Sequence, residues 1–507
     1  MVSILVRGRK EVEQFLAPLA AVFQWQNALL MVLGTLIGVV VGVLPGIGAI
    51  QAMALMIPFT WKMDVIPAFI LLISIYATSK FGGSLTAILF NIPGDNPNAV
   101  TLIDGFPMAK NGKARTAIAA SATVSILGGL FASLSVLIFM PLMYRLILLF
   151  GPAEFFMLAL FGLTAIAAVS STSIVKGLTA GGMGILIATI GYHPLIGENR
   201  YTFGSSYLGD GIHMVPVMLG LLAMSEAMKL WMEGSSIVGE GVPLSGSYKE
   251  GIIAVFKNIP LFIRSCLIAW VVGVAPGAGS AVAGFVSYAS ATKTCKNPET
   301  FGKGDVRGVI AGDTALHACA GGDLLPTVTM GIPGSGAMAI LLGAFALHGI
   351  TPGPQIIKFR VDLIYIIIYT LFISHCMSVA MAVSFFPIME KLTKLRAELI
   401  SPVIIVFCLI GSYMTREYLQ DMFVTTLFGI LGYYMRKHGY HPIPLTLGLI
   451  LGPIAEIGLF EALAFSRNGI FIFFTRIPSL ILFLCIMAVI FWPYIERLYK
   501  KSRTSTA

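Results

Sequence analysis

Long apolar runs recur along this chain, and they limit what it can fold into more than any other feature. Examples occupy 28–43, 117–140, 155–169, 363–382 and 470–492. Each is about long enough to cross a hydrocarbon core of ~30 Å as a helix. Only 11% of the 507 residues are charged, whereas soluble domains carry about 25%, so the chain lacks the polar residues to cover a surface in water. The sequence predicts an all-α polytopic membrane protein with roughly ten to twelve transmembrane segments.

One ordered pattern occurs twice in the chain. The first copy reads VGVLPGIGAIQAMAL at 41–55 and FGGSLTAILFNIPGDN at 81–96. The second copy reads VGVAPGAGSAVAGF at 272–285 and AGGDLLPTVTMGIPGSG at 320–336. Both run P-G-x-G, then a Gly pair, then I-P-G, which indicates two structural repeats. The predicted correspondences, with one residue inserted after the second Gly pair, are Pro45 with Pro276, Gly83 with Gly322 and Pro93 with Pro333.

This repetition predicts how the chain is organised. The expected regions are an N-terminal lead at 1–20, a first transmembrane repeat at 21–232, an inter-repeat loop at 233–252, a second transmembrane repeat at 253–460, and a C-terminal membrane helix with a basic tail at 461–507. Pro and Gly within the apolar segments indicate that several helices are broken or re-entrant.

The loop charges predict the relative orientation of the repeats. After the P-G-x-G helix, the first copy has one basic residue at 60–64, whereas the second has four at 293–307. After I-P-G the asymmetry reverses, with three basic residues at 108–115 and none at 347–355. Basic loops face the cytoplasm. Equivalent loops are therefore expected on opposite sides of the membrane, which makes the repeats inverted.

Inverted repeats with broken helices are typical of secondary transporters, whose binding sites lie near the membrane midplane. Unwound backbone is costly in lipid unless it lines a cavity or is buried in protein, and the amide groups at a helix start attract anions. The alternative, that the breaks are only packing kinks, stays open. The predicted substrate-binding residues are Pro45, Gly46, Gly48, Lys80, Ser84, Pro93, Gly94, Pro276, Gly277, Gly279, His317, Pro333, Gly334 and Ser335.

Two of these residues carry a specific hypothesis and an ordinary alternative. Lys80 stands just before the first Gly pair, where it could pair with a substrate carboxylate or extend its ammonium group to the membrane interface. His317 could bind an anion or carry a proton, or it could be an ordinary hydrogen-bonded buried histidine.

Carboxylates beside the breaks predict an ion site, because ionisable groups inside a membrane are commonly functional. Carboxylate, amide and hydroxyl oxygens together suit a hard cation such as Na⁺. The metal prediction is Na⁺ at Asp95 or Asp323, and for Asp95 a helix N-cap is the equal alternative. The predicted ion-binding residues are Asn91, Asp95, Asn96, Asp313, Asp323 and Thr327.

These motifs resemble the large membrane subunit of the tripartite tricarboxylate transporters. The resemblance rests on the four pattern segments above, on LIDGFPMAKNGKA at 102–114, on GAMAILLGAFALHGITPGP at 336–354 and on GYHPIPLTLGLILGPIAE at 439–456. It covers nearly the whole chain. The chain departs from the family at YATSKFGGS and GDTALHACAGG, where Leu316 and His317 replace two amides that the family often has, so no particular substrate is predicted.

The resemblance implies a bacterial inner-membrane permease that works with a small integral-membrane subunit and a periplasmic solute-binding protein. It also implies uptake of a small di- or tricarboxylate driven by a gradient of a coupling ion, Na⁺ or H⁺, without any other cofactor. The implied mechanism is alternating access by an elevator-like movement.

Other functional classes are disfavoured by the motifs. The chain has no G-x-x-x-x-G-K-[ST] phosphate loop. Asp95, Asp210, Asp313 and Asp323 lack the Gly three residues earlier that the G-x-G-D of intramembrane aspartyl proteases requires, so no enzymatic activity is predicted. The basic loops are explained by membrane orientation, and no nucleic-acid partner is expected. The alternatives kept open are a channel-like protein and a stand-alone carrier for another small anion.

Overall fold

The chain folds into helices joined by short breaks. The computed structural model describes residues 15–44, 46–170, 173–193, 197–233, 242, 244–392, 397–466 and 469–504. Its α-helices are α1 Trp25–Val43, α2 Ala49–Thr60, α3 Val65–Phe90, α4 Ala99–Met108, α5 Ala114–Ile147, α6 Pro152–Ser170, α7 Ile174–Ala188, α8 Ser206–Gly209, α9 Met214–Met218, α10 Ser225–Glu233, α11 Tyr248–Lys257, α12 Ile259–Val274, α13 Gly279–Thr294, α14 Val306–Met330, α15 Gly336–Leu347, α16 Pro354–Phe359, α17 Val361–Leu392, α18 Ala397–Arg416, α19 Leu419–Lys437, α20 Pro442–Phe465, α21 Ile472–Thr475 and α22 Ile477–Thr504.

The remaining regular elements are short. Strands β1 Gly191–Tyr192 and β2 Asn199–Arg200 pair antiparallel. The 3₁₀ turns are Asn96–Asn98, Pro298–Thr300 and Gly469–Phe471, and the π-helical segments are Ala109–Lys113 and Leu219–Met224.

The helices confirm the predicted all-α polytopic membrane fold. Within the described residues, six helices are long and apolar enough to cross a membrane, or up to eight if each of two bent helix pairs is one span. This number is below the predicted ten to twelve for two physical reasons. Helices such as α2 and α15 have only 12 residues, about 18 Å of helix. The 25-residue α14 is long enough to cross a membrane, but its polar residues make it too hydrophilic to count among these apolar helices.

The two halves of the chain present their helices in the same order. In the first half, α1, a break, α2, the long α3, a second break, the short α4 and the long α5 follow one another. In the second half, α12, α13, α14, α15 and α17 repeat that order, with the short α16 added before α17.

Close glycine contacts give the register between the halves. A Cβ added at Gly82 would lie 2.5 Å from the Val39 carbonyl oxygen, and one added at Gly322 would lie 2.5 Å from the Trp270 carbonyl oxygen. These glycines therefore hold equivalent crossing points of α1 with α3 and of α12 with α14. Gly82 corresponds to Gly322, and the predicted pairing of Gly83 with Gly322 is wrong by one residue.

The helix ends support this corrected register. Asn91 ends α3 and Gly331 ends α14, both with left-handed backbone at φ values of 56° and 72°. They are 240 positions apart, as are Gly82 and Gly322. No residue is inserted before the second I-P-G, and Asp323 stands where the first half has Gly83.

The equivalent helices α3 and α14 pass each other in opposite directions. Tyr76 of α3 contacts Asp323 of α14. Lys80, one turn further along α3, reaches the Leu316 carbonyl, and Ser84, another turn on, lies beside Asp313. Residues further along α3 therefore contact residues earlier in α14.

The long helices α5 and α17 behave in the same way. A Cβ at Gly129 of α5 would lie 2.5 Å from the His375 ring of α17. One turn later in α5, Ser133 donates to the Ile368 carbonyl, 3.2 Å away and earlier in α17.

Helices α3 and α14 form the centre of the protein. Both are buried along most of their length, including their polar residues. Their polar side chains therefore contact other protein groups rather than lipid, which removes most of the cost of placing them at membrane depth.

Candidate functional site

A cavity of about 350 Å³ lies where the breaks of the two halves meet. The first half contributes Ala49 and Ile50, Tyr76 and Lys80, and the segment 95–97. The second half contributes the segments 277–282 and 335–337, and α20 adds His441 and Ile443. The structure thus brings residues beside the two paired breaks to one cavity.

Four helical segments begin at this cavity. They are α2 at Ala49, the 3₁₀ turn at Asn96, α13 at Gly279 and α15 at Gly336. The first amide groups of a helix lack intrahelical partners and carry partial positive charge. Asp95 caps two of these starts, at Ala49 and Asn96, whereas the starts of α13 and α15 have no side-chain cap. These two starts are therefore the part of the cavity wall that favours anions.

Lys80 adds a full positive charge to the cavity wall. Its side chain is buried, and its Nζ donates to the Tyr76 hydroxyl at 3.1 Å and to the Leu316 carbonyl at 3.0 Å. The Lys80 ammonium group therefore lies inside the protein, and its extension to the membrane interface is excluded as an interpretation.

Tyr76 connects Lys80 to a carboxylate of the other half. The Tyr76 hydroxyl donates to Asp323 Oδ2 at 3.0 Å, and the Cys319 thiol lies 3.3 Å from Asp323 Oδ1. Burying a lysine or an aspartate alone is costly, whereas a bridged pair of opposite charge offsets part of that cost. The Lys80–Tyr76–Asp323 group is thus a charge-balanced connection between α3 and α14.

Asp95 lies at the start of two helical segments. Its Oδ1 accepts from the Asn96 backbone N–H at 2.8 Å, and its Oδ2 accepts from the Ala49 N–H at 3.2 Å. These contacts are those of an N-cap, in which a carboxylate satisfies amides at a helix start. In the second half, Ser335 occupies the equivalent position beside Gly279.

The second break is held by a threonine. Thr327 Oγ1 donates to the Asp323 carbonyl at 2.6 Å and accepts from the Gly334 N–H at 3.3 Å. A Cβ on Gly334 would lie 2.6 Å from the Asp323 Cα. The close approach of this loop to α14 therefore requires glycine.

A second cavity, of about 360 Å³, adjoins the first at residues 95 and 96. The two cavities share Ile50, Asp95, Asn96, His441 and Ile443, and the second is otherwise lined by residues that include Gly46, Gln51, Pro93, Gly94, Glu226, Lys229 and Arg436. Glu226 pairs with Arg436 at 3.0 Å and with Lys229 at 3.6 Å. The group formed by these three side chains therefore carries one more basic than acidic residue.

Several predicted residues lie away from the first cavity. His317 is buried beside Ser125, and its ring packs edge-on against His375 at 5.2 Å between centroids. Ser84 and Asp313 belong to a separate buried polar cluster. The predicted residues that line neither cavity are Gly48, Ser84, Asn91, Pro276, His317, Asp313, Asp323, Thr327, Pro333 and Gly334, and Pro45 lies outside the described residues.

Tyr76 and His441 line the first cavity but were not predicted. Tyr76 stands four residues before Lys80, and residues at that spacing share one face of a helix, so the sequence contained a signal for it. His441 precedes α20 in the fold, far from both repeat motifs in the sequence. No local pattern connects it to the breaks.

The fold is that of a multi-pass membrane protein, and its candidate site lies between two similarly ordered halves. Residues 28–447 match the model of the family described as "Tripartite tricarboxylate transporter TctA family". The chain belongs to this family, which confirms the resemblance inferred from its motifs. This is a family of transporters, so the membership of the chain in it fits the prediction that the chain is not an enzyme.

Two curated relatives come from Agrobacterium vitis. The protein called "Uncharacterized 52.8 kDa protein in TAR-I ttuC' 3'region" is 35% identical over 445 residues, which cover 87% of this chain and 88% of that protein. The "Uncharacterized protein in TAR-II ttuC' 3'region" is 35% identical over 204 residues, 40% of this chain and 84% of that protein. No solved structure matches the chain.

Proposed function

We propose that this chain is the large permease subunit of a binding-protein-dependent carrier that moves a small di- or tricarboxylate across the bacterial inner membrane. Transport is coupled to Na⁺ or H⁺, and the partners are a small integral-membrane subunit and a periplasmic solute-binding protein. The observation that carries the proposal is the cavity between the two breaks, with Lys80 and the starts of α13 and α15, which have no side-chain cap, in or beside its wall.

The chemistry of this cavity fits a carboxylate. An ammonium group and backbone N–H groups are the donors that proteins use to bind anions. The volume of about 350 Å³ lies in the range of small-molecule sites. We assign Lys80 to a substrate carboxylate and the starts of α13 and α15 to the opposite end of the same molecule.

We infer that the two halves are inverted repeats. The reversed loop charges support this orientation, and so do the opposite directions in which α3 passes α14 and α5 passes α17. A two-fold axis in the membrane plane relates equivalent helices in this way. Inverted halves exchange roles during alternating access, and an elevator-like movement is the form that the family resemblance implies.

We assign the second cavity to the access route of the anion. Its Lys229 and Arg436 lie around Glu226, and Asp95 and Asn96 are among the residues that it shares with the first cavity. Basic groups at the mouth of a site raise the local concentration of an anionic substrate. The Asp95 segment is then the barrier that the substrate crosses.

A binding assay on the purified full-length protein tests the substrate site. A panel of citrate, tartrate, malate and succinate is screened for an increase in melting temperature, which a ligand of the native state causes. Lys80→Met should lose that increase, whereas Lys62→Met should keep it, because Lys62 is exposed and pairs only loosely with Glu417 at 3.9 Å. An equal increase in Lys80→Met would contradict the assigned site.

Counterflow separates the carrier from its channel-like alternative. Proteoliposomes that contain the chain with its membrane partner are preloaded with unlabelled carboxylate, and binding protein with labelled carboxylate is added outside. A carrier accumulates label transiently by exchange. Equilibration of label without accumulation would favour a channel and refute the carrier.

A further inference from the structure

The carboxylates at the two breaks differ from Asp313 in the bonds that they make. Both oxygens of Asp95 accept backbone N–H groups, and the oxygens of Asp323 face the Tyr76 hydroxyl and the Cys319 thiol. Donors directed at a carboxylate satisfy its oxygens and oppose the approach of a cation. The Oδ2 atom of Asp313 has no hydrogen-bond partner among the described residues, although it is fully buried.

Three hydroxyl groups lie beside the Asp313 carboxylate. Thr101 donates to Asp313 Oδ1, and Ser121 and Ser84 lie beside the same carboxylate. Ser121 Oγ is likewise buried without a hydrogen-bond partner in the described part of the chain. Unsatisfied buried oxygens are rare in proteins, and where they cluster an ion or water commonly accounts for them.

The structure assigns a Na⁺ site to this cluster, and we propose that the Asp313 carboxylate and the Thr101, Ser121 and Ser84 hydroxyls are its ligands. All the proposed ligand atoms are oxygens, the type that hard cations prefer. One carboxylate balances one monovalent charge, so the cation would leave the cluster neutral inside the protein. The inference rests on the proposed function only in calling Na⁺ the coupling ion.

The cluster joins both halves of the chain. Ser84 and Thr101 belong to α3 and α4 of the first half, Ser121 belongs to α5, and Asp313 belongs to α14 of the second. A cation held between them would fix the position of α14 relative to α3 and α4. The site can therefore be complete only when the two halves are correctly arranged.

Asn98 connects the cluster to the substrate cavity. Its Nδ2 donates to Ser84 Oγ at 2.9 Å and to the Lys80 carbonyl at 2.8 Å, and its Oδ1 is buried without a hydrogen-bond partner in the part of the chain that the structure describes. Asn98 closes the same short segment whose residues 95–97 line the cavity. Filling the cation site would thus order the Asp95 segment and the Lys80 turn, so that cation and anion assist each other's binding.

Direct binding of radioactive Na⁺ to the purified full-length protein tests this site, with choline in place of Na⁺ to keep the ionic strength constant. The wild type should bind Na⁺ saturably, and Asp313→Asn should lose this binding. Ser121→Ala should weaken it by about tenfold or more, the typical effect of one lost polar contact to a charge. The matched control is Thr123→Ala on the same helix, whose hydroxyl bonds only to the Ala119 carbonyl at 2.7 Å; it should bind as the wild type does.

The outcomes separate this inference from the proposed function. Equal Na⁺ binding by the wild type, Asp313→Asn and Ser121→Ala would overturn the inference. This conclusion does not depend on whether Lys80→Met still binds carboxylates in the melting-temperature assay. Lack of Na⁺ binding by the wild type, with uptake that follows a pH gradient, would also overturn it and favour coupling to H⁺. Asp313-dependent Na⁺ binding without any carboxylate binding would support the site while refuting the transport proposal.

Discussion

Replacing Lys80 by methionine and Asp323 by asparagine, singly and together, tests whether these buried charges stabilise each other. The Lys80 ammonium bonds to the Tyr76 hydroxyl at 3.1 Å, and that hydroxyl bonds to the Asp323 carboxylate at 3.0 Å. Each single variant leaves one buried charge without its partner. The double variant leaves neither charge.

The expected magnitude follows from this geometry. Two hydrogen bonds in series place the charges no more than about 6 Å apart, which at an effective dielectric constant of ~20 gives an attraction of ~3 kcal/mol. Breaking a buried pair from one side costs about 3–5 kcal/mol. The double variant should therefore lose about as much stability as one single variant, with a coupling energy of ~3 kcal/mol.

Unfolding of the purified variants in mixed detergent micelles, followed by tryptophan fluorescence, measures the free energies. The exposed pair of Lys62 and Glu417, 3.9 Å apart, is the control, and its coupling should be about 0–1 kcal/mol. If the losses of Lys80→Met and Asp323→Asn simply add in the double variant, the two charges do not stabilise each other, and the description of this group as a balanced pair is wrong.

Two further predictions concern one break and one helix crossing. Asp95→Asn keeps one of the two accepting oxygens and should lose less stability than Asp95→Ala, which removes both caps and should lose about 1 kcal/mol or more in the same unfolding assay. Loss of Na⁺-dependent uptake in a stable Asp95→Asn would contradict a purely capping role. Gly82→Ala should lower the melting temperature by several degrees, because its Cβ would lie 2.5 Å from the Val39 carbonyl oxygen. Gly209→Ala should leave the melting temperature unchanged, because nothing lies within 4 Å of the added Cβ. Equal changes in melting temperature for the two variants would refute the inference that Gly82 is needed for close helix packing.

The sequence could predict the general fold because its signals are local. Apolar runs identified membrane helices, and the paired P-G-x-G and I-P-G motifs located the breaks that the first cavity joins. Lys80 could be assigned to the cavity wall for the same reason, since it lies one turn from the Gly pair.

The rest depends on which helices pack together. The pairing of Gly83 with Gly322 aligned identical letters, whereas the backbone contacts align Gly82 with Gly322. Tyr76 meets Asp323 only because α3 and α14 cross, and the two residues are 247 positions apart in sequence. Asp313 was predicted as an ion ligand and Ser84 stands in the first motif, but Thr101 and Ser121 lie outside the paired motifs, so no sequence pattern groups them with Asp313.

The corrected register has an energetic consequence for a carrier with inverted halves. Lys80 has Ala320 as its counterpart, Asp323 has Gly83, and Asp95 has Ser335. If the halves were chemically identical, exchanging their roles would give two end states of equal free energy. Here the charged groups are distributed unequally, so in the carrier proposed above the outward-open and inward-open forms would differ in free energy and in substrate affinity. Such a carrier would have a resting orientation set by its own residues, before any gradient or partner acts on it.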